Sequence, residues 1–262
     1  LTDPVSGLLM GMTAENLARE FHIPREEQDR FALRSHERAV KAQKNGTLDG
    51  EIVPVPTWPD FSNIVTQDIG PRENQSMESL GKLKPYFDRR NGTVTVGNSS
   101  QVTDGAAVAL VMPESEAKAR GYEPLGYLRE YAYASLEPER MGLGPVYATS
   151  RLFDRTGATM KDIEYTEINE AFAAQVLACE RAFDSEEFAK TYLGKDTKVG
   201  TLDMDNLNAQ GGAIAVGHPV GMTGTRIAVH TLKELRRQGK NTGLATLCVG
   251  GGQGAALLLE VA

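Results

Sequence analysis

The chain has 262 residues, 40% of them hydrophobic and 24% charged, with a formal net charge of -7. That length admits one or two domains, and the composition is ordinary for a soluble globular protein. The mixed, net-negative charge excludes a generic nucleic-acid backbone binder, and no apolar run approaches the roughly 20 residues of a membrane span. The opening Leu1-Thr2-Asp3-Pro4 has neither the basic nor the apolar part of a secretory signal. It does not begin with Met, so it reads as a processed product or a piece of a longer chain. Two cysteines, Cys179 and Cys248, are too few for a disulfide framework and suit a reducing compartment. Asn-x-Ser/Thr triplets such as Asn91-Gly92-Thr93 and Asn98-Ser99-Ser100 read as chance without a secretory signal.

In chain order, Ala14, Leu17, Ala18 and Phe21 share one face of a helix expected over 13–21. A second helix is expected over 24–44. Pro24 suits its first turn, acidic Glu26, Glu27 and Asp29 favour its start, basic Arg38, Lys41 and Lys44 its end, and Asn45-Gly46 stops it. Residues 50–90 carry Pro54, Pro56, Pro59, Pro71 and Pro85 and read as irregular surface structure with short strands. Thr93 to Val96 is a strand candidate, and Ala106 to Met112, after the Asp104-Gly105 turn, has the length of a buried strand. A helix over 114–120 follows. Beyond it come a strand over 125–134, a helix over 146–156, a strand over 165–168 and a helix over 170–183. A helix over 224–237, closed by Gly239, and strands over 244–249 and 255–261 complete the chain. Alternation from about residue 123 onward predicts one layered α/β domain.

Three segments place polar groups where regular elements end: Asn169-Glu170-Ala171-Phe172, Gly211 to Pro219, and Cys248 to Gly252. Such positions suit chemistry, because a rigid scaffold holds the side chain. His22, His36 and His230 fall in expected helices with mixed neighbours and read as surface or partly packed residues. His218, between Gly217 and Pro219, can be approached closely by another backbone and can take a thiol proton near neutral pH. An N-cap histidine is the competing reading on this segment alone. Cys179 shares an apolar helix face with Phe172, Val176 and Phe183, so it reads as a buried filler. Cys248 ends an apolar strand ahead of three glycines, where free N–H groups favour a thiolate, although a structural cysteine fits that place too. The run Gly250-Gly251-Gly252-Gln253-Gly254 leads into a strand and lacks the Lys and Ser/Thr of a phosphate loop. An oxyanion hole made of its backbone N–H groups is the better use. No His/Cys/Asp cluster has metal-ligand spacing.

Taken together these segments resemble the thiolase family. The resemblance covers the whole chain and rests on Asn169 to Phe172, Gly217 to Pro219, Cys248 to Gly252, Met10 to Asn16, Lys84 to Asp88 and Gly92 to Ser100, all in the family's order. It implies an α/β fold of layered α-β-α-β-α architecture with a complete C-terminal half and a partial N-terminal half. Residues 1–102 would be the CoA-binding loop domain, which also makes oligomer contacts. Residues 103–122 would end the N-terminal domain, and 123–262 would be the C-terminal domain. The implied activity is acyl transfer between CoA thioesters: cleavage of a 3-ketoacyl-CoA, or the reverse Claisen condensation. The implied catalytic groups are His218, Cys248, Asn169 and the N–H of Gly250. The nucleophilic cysteine of the family has no counterpart among these residues, so the chain alone is expected to be inactive.

Coenzyme A is implied as co-substrate, with no tightly bound cofactor. Its expected contacts are Leu1, Met10, Arg72, Ser79, Phe87, Ser100, Val102, Ala171 and Phe172. Leu9, in place of a polar residue, and a long 184–206 stretch lean toward fatty-acid β-oxidation. A homodimer or homotetramer, with a hydratase/dehydrogenase partner in some members, is implied. So is a bacterial cytoplasmic location, or a mitochondrial or peroxisomal one in a eukaryote. The alternatives are a non-catalytic CoA- or lipid-binding relative, a biosynthetic acetoacetyl-CoA thiolase, and a ketoacyl-synthase-type condensing enzyme. The last would carry a histidine or asparagine where Cys248 stands.

Overall fold

Alternation along two neighbouring strands organises the C-terminal half of the computed structural model, which describes residues 1–261. Strands β5 (Thr242–Val249) and β6 (Gln253–Glu260) form an antiparallel hairpin with Leu244 opposite Leu258 and Cys248 opposite Gly254. Successive strand side chains point to opposite faces. Leu244, Ala256 and Leu258 therefore join the main core, while Ala245 and Leu259 face the other way, onto Ile227. Adding β3 (Tyr127–Ser135) and β4 (Tyr165–Ile168) gives a four-stranded sheet in the order β3-β6-β5-β4. Only the β4–β5 pair is parallel.

Helix α5 (Gly144–Thr156) lays Val146, Ala148 and Leu152 on the first face of that sheet, and α6 (Ala173–Phe183) packs beside it through Val176, Cys179 and Phe183. Helix α9 (Thr223–Gln238) covers the second face, closed at its C-terminus by Gly239 in the left-handed conformation. Burying a leucine this fully stabilises by roughly 2 kcal/mol, so both faces contribute to the core.

The N-terminal hundred residues wrap this block. Helix α1 (Met10–Glu20) packs against α6, and α2 (Arg25–Lys44) packs against both α6 and the short α8 (Ala213–Val216). The proline-rich stretch contains a small hairpin, β1 (Val55–Pro56) with β2 (Ile64–Val65), and a five-residue helix, α3 (Met77–Gly81). Helix α4 (Glu114–Ala119) leads into β3, and the single-turn α7 (Glu186–Phe188) follows α6. No helix among the described residues is long and apolar enough to cross a membrane.

Three expectations about regular elements are corrected. Thr93 to Val96 is not a strand: the buried Glu15 carboxylate accepts the N–H groups of Thr93 (3.0 Å) and Val94 (2.9 Å), and the Asn98 side chain accepts that of Thr95 (2.8 Å). Side chains thus take the donors that a ladder would need. Ala106 to Met112 forms no regular element and pairs with no strand among the described residues. It leaves Val108 and Val111 exposed, because no sheet edge runs beside it. The helix expected from Glu170 begins at Ala173, since Ser99 and Ser100 pair with Ala171 and Phe172 and hold them extended.

The histidine readings also change. His22 is on the surface as read, although it lies beyond the end of α1 with φ 51°, whereas His36 and His230 are buried. The Nδ1 of His36 accepts the N–H of Arg72 (3.2 Å), and burial, with Arg72 adding, lowers its pKa to about 4. His230 sits between Glu51 (2.9 Å) and Glu167 (3.7 Å). Burial alone disfavours its cation, but the two carboxylates outweigh it and raise its pKa above the ordinary value.

One close crossing holds α5 against the hairpin. A Cβ on Gly254 would lie 2.0 Å from the carbonyl oxygen of Gly144, and a Cβ on Gly144 2.4 Å from that of Gln253. Backbone cannot yield as a side-chain tip can. Gly254→Ala is therefore expected to lower the stability of the protein by about 2 kcal/mol, read as a lower urea midpoint. An unchanged midpoint would show that the crossing is not tight.

Candidate active site

Parallel pairing of β4 with β5 sets Ile168 opposite Thr246. The N–H of Asn169 continues the ladder to the carbonyl of Thr246 (3.0 Å), so Asn169 and Cys248 lie at the same end of two neighbouring parallel strands. Asn169 is fully buried. Its Nδ2 lies 3.3 Å from Nε2 of His218, and its Oδ1 has no partner within the chain. Amide and imidazole therefore meet although 49 residues separate them.

His218 is delivered by a tightly constrained segment. Gly217 has φ 95°, and a Cβ there would meet the Thr103 side chain at 2.2 Å, so only glycine lets the chain turn here. The imidazole is half-buried and its Nδ1 lies 2.7 Å from the Thr223 hydroxyl. Burial, with the Arg226 cation adding, holds its pKa below the ordinary histidine value. The ring is thus neutral near pH 7 and available as a base.

Glu170 supports both Asn169 and the His218 segment. It is 1% exposed. One carboxylate oxygen accepts the Ser35 hydroxyl (2.6 Å) and the N–H of Ile214 (3.2 Å), and the other accepts the Asn208 amide (2.9 Å). Asn208 also bridges back to β4, donating to the carbonyl of Ile168 and accepting its N–H, both at 2.9 Å. A Cβ on Gly212 would strike the Glu170 carboxyl at 2.3 Å. Sequence reasoning quoted Glu170 within a motif but gave it no role. A charged residue between Asn169 and the apolar Ala171 and Phe172 was the available signal, since such a residue is buried only when fully paired. Ser35, Asn208 and Thr223 carried no local signal at all.

Cys248 lies at the end of β5, 7% exposed, packed with Ala14, Met141, Ala171 and Phe172. Burial pushes its thiol up to about 12. It is therefore a neutral thiol in this chain, not the thiolate that strand-end N–H groups were expected to favour. Cys179 is sealed in the core, its thiol donating to the carbonyl of Gly142 (3.1 Å), and burial raises its pKa further still. After Val249 the hairpin turns through Gly251 (φ 82°) and Gly252 (φ 76°). Asp3 caps this turn by accepting the N–H of Gly251 (2.5 Å), which brings the Leu1–Met10 segment over Gly250.

The expected CoA contacts divide. Met10, Phe87, Ala171 and Phe172 share one apolar cluster with Cys248, and the Phe87 and Phe172 rings meet edge to face at 5.9 Å. Ser100 joins them by donating its N–H to Ala171 (2.9 Å), and Leu1 by accepting the N–H of Met10 (3.1 Å). Leu1 and Val102 are open to solvent. Ser79 is exposed and bonds within its own turn, to Ser76. Arg72 lines a cleft of about 380 Å³ with Glu37, Lys41 and Lys44. The structure thus puts four of the nine in the cysteine's cluster, ties Ser100 and Leu1 to members of it by backbone bonds, and leaves Arg72, Ser79 and Val102 outside it. Among the described residues no His/Cys/Asp/Glu group could hold a metal ion.

The site is thus an asparagine and a histidine in contact at one end of a mixed sheet, next to the strand that bears a cysteine near its end. Comparison with known proteins gives it a family. The thiolase C-terminal domain model matches residues 122–261 and the thiolase N-terminal domain model residues 1–115. The 3-ketoacyl-CoA thiolase of Yersinia enterocolitica serotype O:8 / biotype 1B is 46% identical over 257 residues, 98% of this chain and 59% of that protein. That of Photorhabdus laumondii subsp. laumondii is 47% identical with the same coverage. Among solved structures, the Bacillus anthracis acetyl-CoA acetyltransferase superposes with a TM-score of 0.89 at 41% identity, over 100% of this chain and 62% of that one. Human mitochondrial 3-ketoacyl-CoA thiolase in complex with CoA gives a TM-score of 0.86 at 37% identity, over 100% and 61%. The chain belongs to the thiolase family. It spans about three-fifths of the length of the curated relatives it matches.

Glu170→Gln tests the clamp. Three donors converge on the two carboxylate oxygens, and an amide would set its own NH2 against at least one of them. A loss of about 1–3 kcal/mol is expected, measured by denaturant unfolding; wild-type stability would contradict the assignment.

Proposed function

We propose that the protein carrying these residues transfers acyl groups between CoA thioesters: it cleaves a 3-ketoacyl-CoA with free CoA, or runs the reverse Claisen condensation. The observation that carries this reading is the meeting of Asn169 and His218 at 3.3 Å beside the strand end that bears Cys248. Membership of the thiolase family and the relatives named 3-ketoacyl-CoA thiolase support it.

In this reading a cysteine outside the present residues attacks the 3-keto carbon, and His218 Nε2 takes its proton. The bond between the α-carbon and the 3-carbon breaks, leaving an acyl-enzyme thioester and the enolate of acetyl-CoA. The enolate oxygen faces His218 and a water held by Asn169, whose buried Oδ1 is free to accept from it. Cys248 protonates the α-carbon. A thiol with its pKa pushed up to about 12 is protonated at neutral pH and suits that acid step. Its conjugate thiolate is a correspondingly strong base for the reverse reaction. The backbone N–H of Gly250 serves the tetrahedral intermediate, where losing one donor typically costs about 10²–10³ in rate. A new CoA thiol then attacks the acyl-enzyme and releases the shortened acyl-CoA.

CoA itself lies along Met10, Phe87, Ser100, Ala171 and Phe172, with Leu1 and Val102 at the mouth and Arg72 and Ser79 toward the nucleotide end. No tightly bound cofactor is needed. Fatty-acid β-oxidation is the setting this reading favours. Residues 1–102 act as the loop domain, 103–122 as the end of the N-terminal domain and 123–262 as the C-terminal domain. The assembly is a homodimer or homotetramer, with a hydratase/dehydrogenase as possible companion, in the bacterial cytoplasm or a eukaryotic mitochondrion or peroxisome.

Thiolysis of acetoacetyl-CoA by the complete protein tests the reading. His218→Ala is expected to slow it by about 10²–10⁴. Cys248→Ser should largely abolish condensation while acylation of the nucleophile stays detectable. Wild-type condensation in that variant would remove Cys248 from the mechanism. The 262 residues on their own should show no thiolysis, because neither Cys179 nor Cys248 is placed to be the nucleophile.

The pH dependence follows from the depressed pKa of His218. The base must be neutral, so the rate should climb as pH rises through a limb below the ordinary histidine value, then stay level through neutrality. A limb above that value would contradict a buried neutral base.

A further inference from the structure

A neutral histidine has one bare nitrogen, and which one it is depends on the bond made by the other. We infer that Thr223 is the positioning residue that sets the tautomer of His218, keeping the proton on Nδ1 and leaving Nε2 bare toward Asn169. The inference rests on the reading of His218 as the thiol base and adds to it the group that selects the working nitrogen.

Thr223 is the first residue of α9 and is 1% exposed. Its hydroxyl has two neighbours: the carbonyl of Pro219 at 3.1 Å and Nδ1 of His218 at 2.7 Å. The hydroxyl donates its single proton to the Pro219 carbonyl, which can only accept. The hydroxyl oxygen is then an acceptor toward the ring, and Nδ1 must be the donor. At the other end of the imidazole, Nδ2 of Asn169 donates to Nε2. Both ends of the ring therefore call for the same tautomer.

The hydroxyl is not occupied elsewhere. The residue before it, Met222, has no side-chain cap bond, and the donation to Pro219 is the usual i−4 bond of a helical threonine. The same carbonyl also accepts the Thr223 N–H (3.1 Å), so backbone and side chain of one residue are fastened to the residue that follows His218. A valine would keep the shape and lose the acceptor; a serine would keep the acceptor and lose only a methyl group.

Nitrogen-15 spectra of the complete protein with labelled histidine read the tautomer directly. The chain has four histidines, and His218 is assigned by the signal lost in His218→Asn. In the wild type, Nε2 is expected to be the bare nitrogen. Thr223→Val should shift the ring toward the Nε2–H form, and Thr223→Ser should restore the wild-type spectrum. In thiolysis, Thr223→Val should lower kcat about tenfold or more, since general base catalysis contributes about 10²–10⁴. KM for CoA should stay unchanged and Thr223→Ser should recover the rate. A wild-type ring protonated on Nε2 overturns the inference without any variant having to fold, and so does an unaltered tautomer in Thr223→Val. A tautomer that shifts while thiolysis is unaffected leaves Thr223 in control of the ring and removes His218 as the base.

Discussion

Glu170 is a buried carboxylate with three donors and no solvent, and the geometry of the site depends on it. Its oxygens reach α2 through Ser35, the loop before α8 through Asn208, and the first turn of α8 through Ile214. Asn169 precedes it directly, and the helix it holds ends one residue before Gly217 and His218. One side chain therefore ties together the segments that carry Asn169 and His218, two candidate site residues far apart in sequence. An unpaired carboxylate at this depth would cost several kcal/mol, so the arrangement persists only while every donor is present. The same interaction binds the N-terminal hundred residues to the C-terminal layers.

Burial sorts identical residue types into different tasks. His36 loses its charge because it is desolvated beside Arg72, and it spends its lone pair on the backbone of that residue. His230 has its pKa raised because two carboxylates flank it. His218 is desolvated without an anionic partner and is left neutral, with one nitrogen held by Thr223 and the other turned toward Asn169. The cysteines differ in placement: Cys179 has a carbonyl partner inside the main core, while Cys248 stands near a strand end in the smaller apolar cluster with Ala14, Met141, Ala171 and Phe172. The histidine fates follow from desolvation weighed against local charge, whereas burial raises both cysteine thiols and only their neighbours differ.

The glycines at this end of the sheet supply proximity more than flexibility. Gly212 admits the Glu170 carboxyl, Gly217 admits Thr103, and Gly254 admits the backbone of α5. Any side chain at these positions would push apart surfaces that must touch for Asn169, His218 and Cys248 to lie at the same end of the sheet.

Local pattern carried much of the architecture. The four strands of the sheet and helices α2, α5 and α9 lie within a few residues of where hydrophobic periodicity and end signals put them, because each has a long apolar face that only one period satisfies. The motif segments likewise marked Asn169, His218 and Cys248, since glycines and polar groups at element ends are local features. Periodicity could not show that the Thr93–Val96 donors would be taken by Glu15 and Asn98, nor that Ala106 to Met112 would lie without a neighbouring strand. The depth of His36 and His230 was equally hidden, because their partners come from residues 36 and 179 positions away. The amino-acid order by itself determined which elements form and which residue types stand at their ends. Only the tertiary structure decided which of those ends meet, because hydrogen bonds such as Glu170 with Ser35 or His218 with Asn169 join chain segments whose separation leaves no trace in a local pattern.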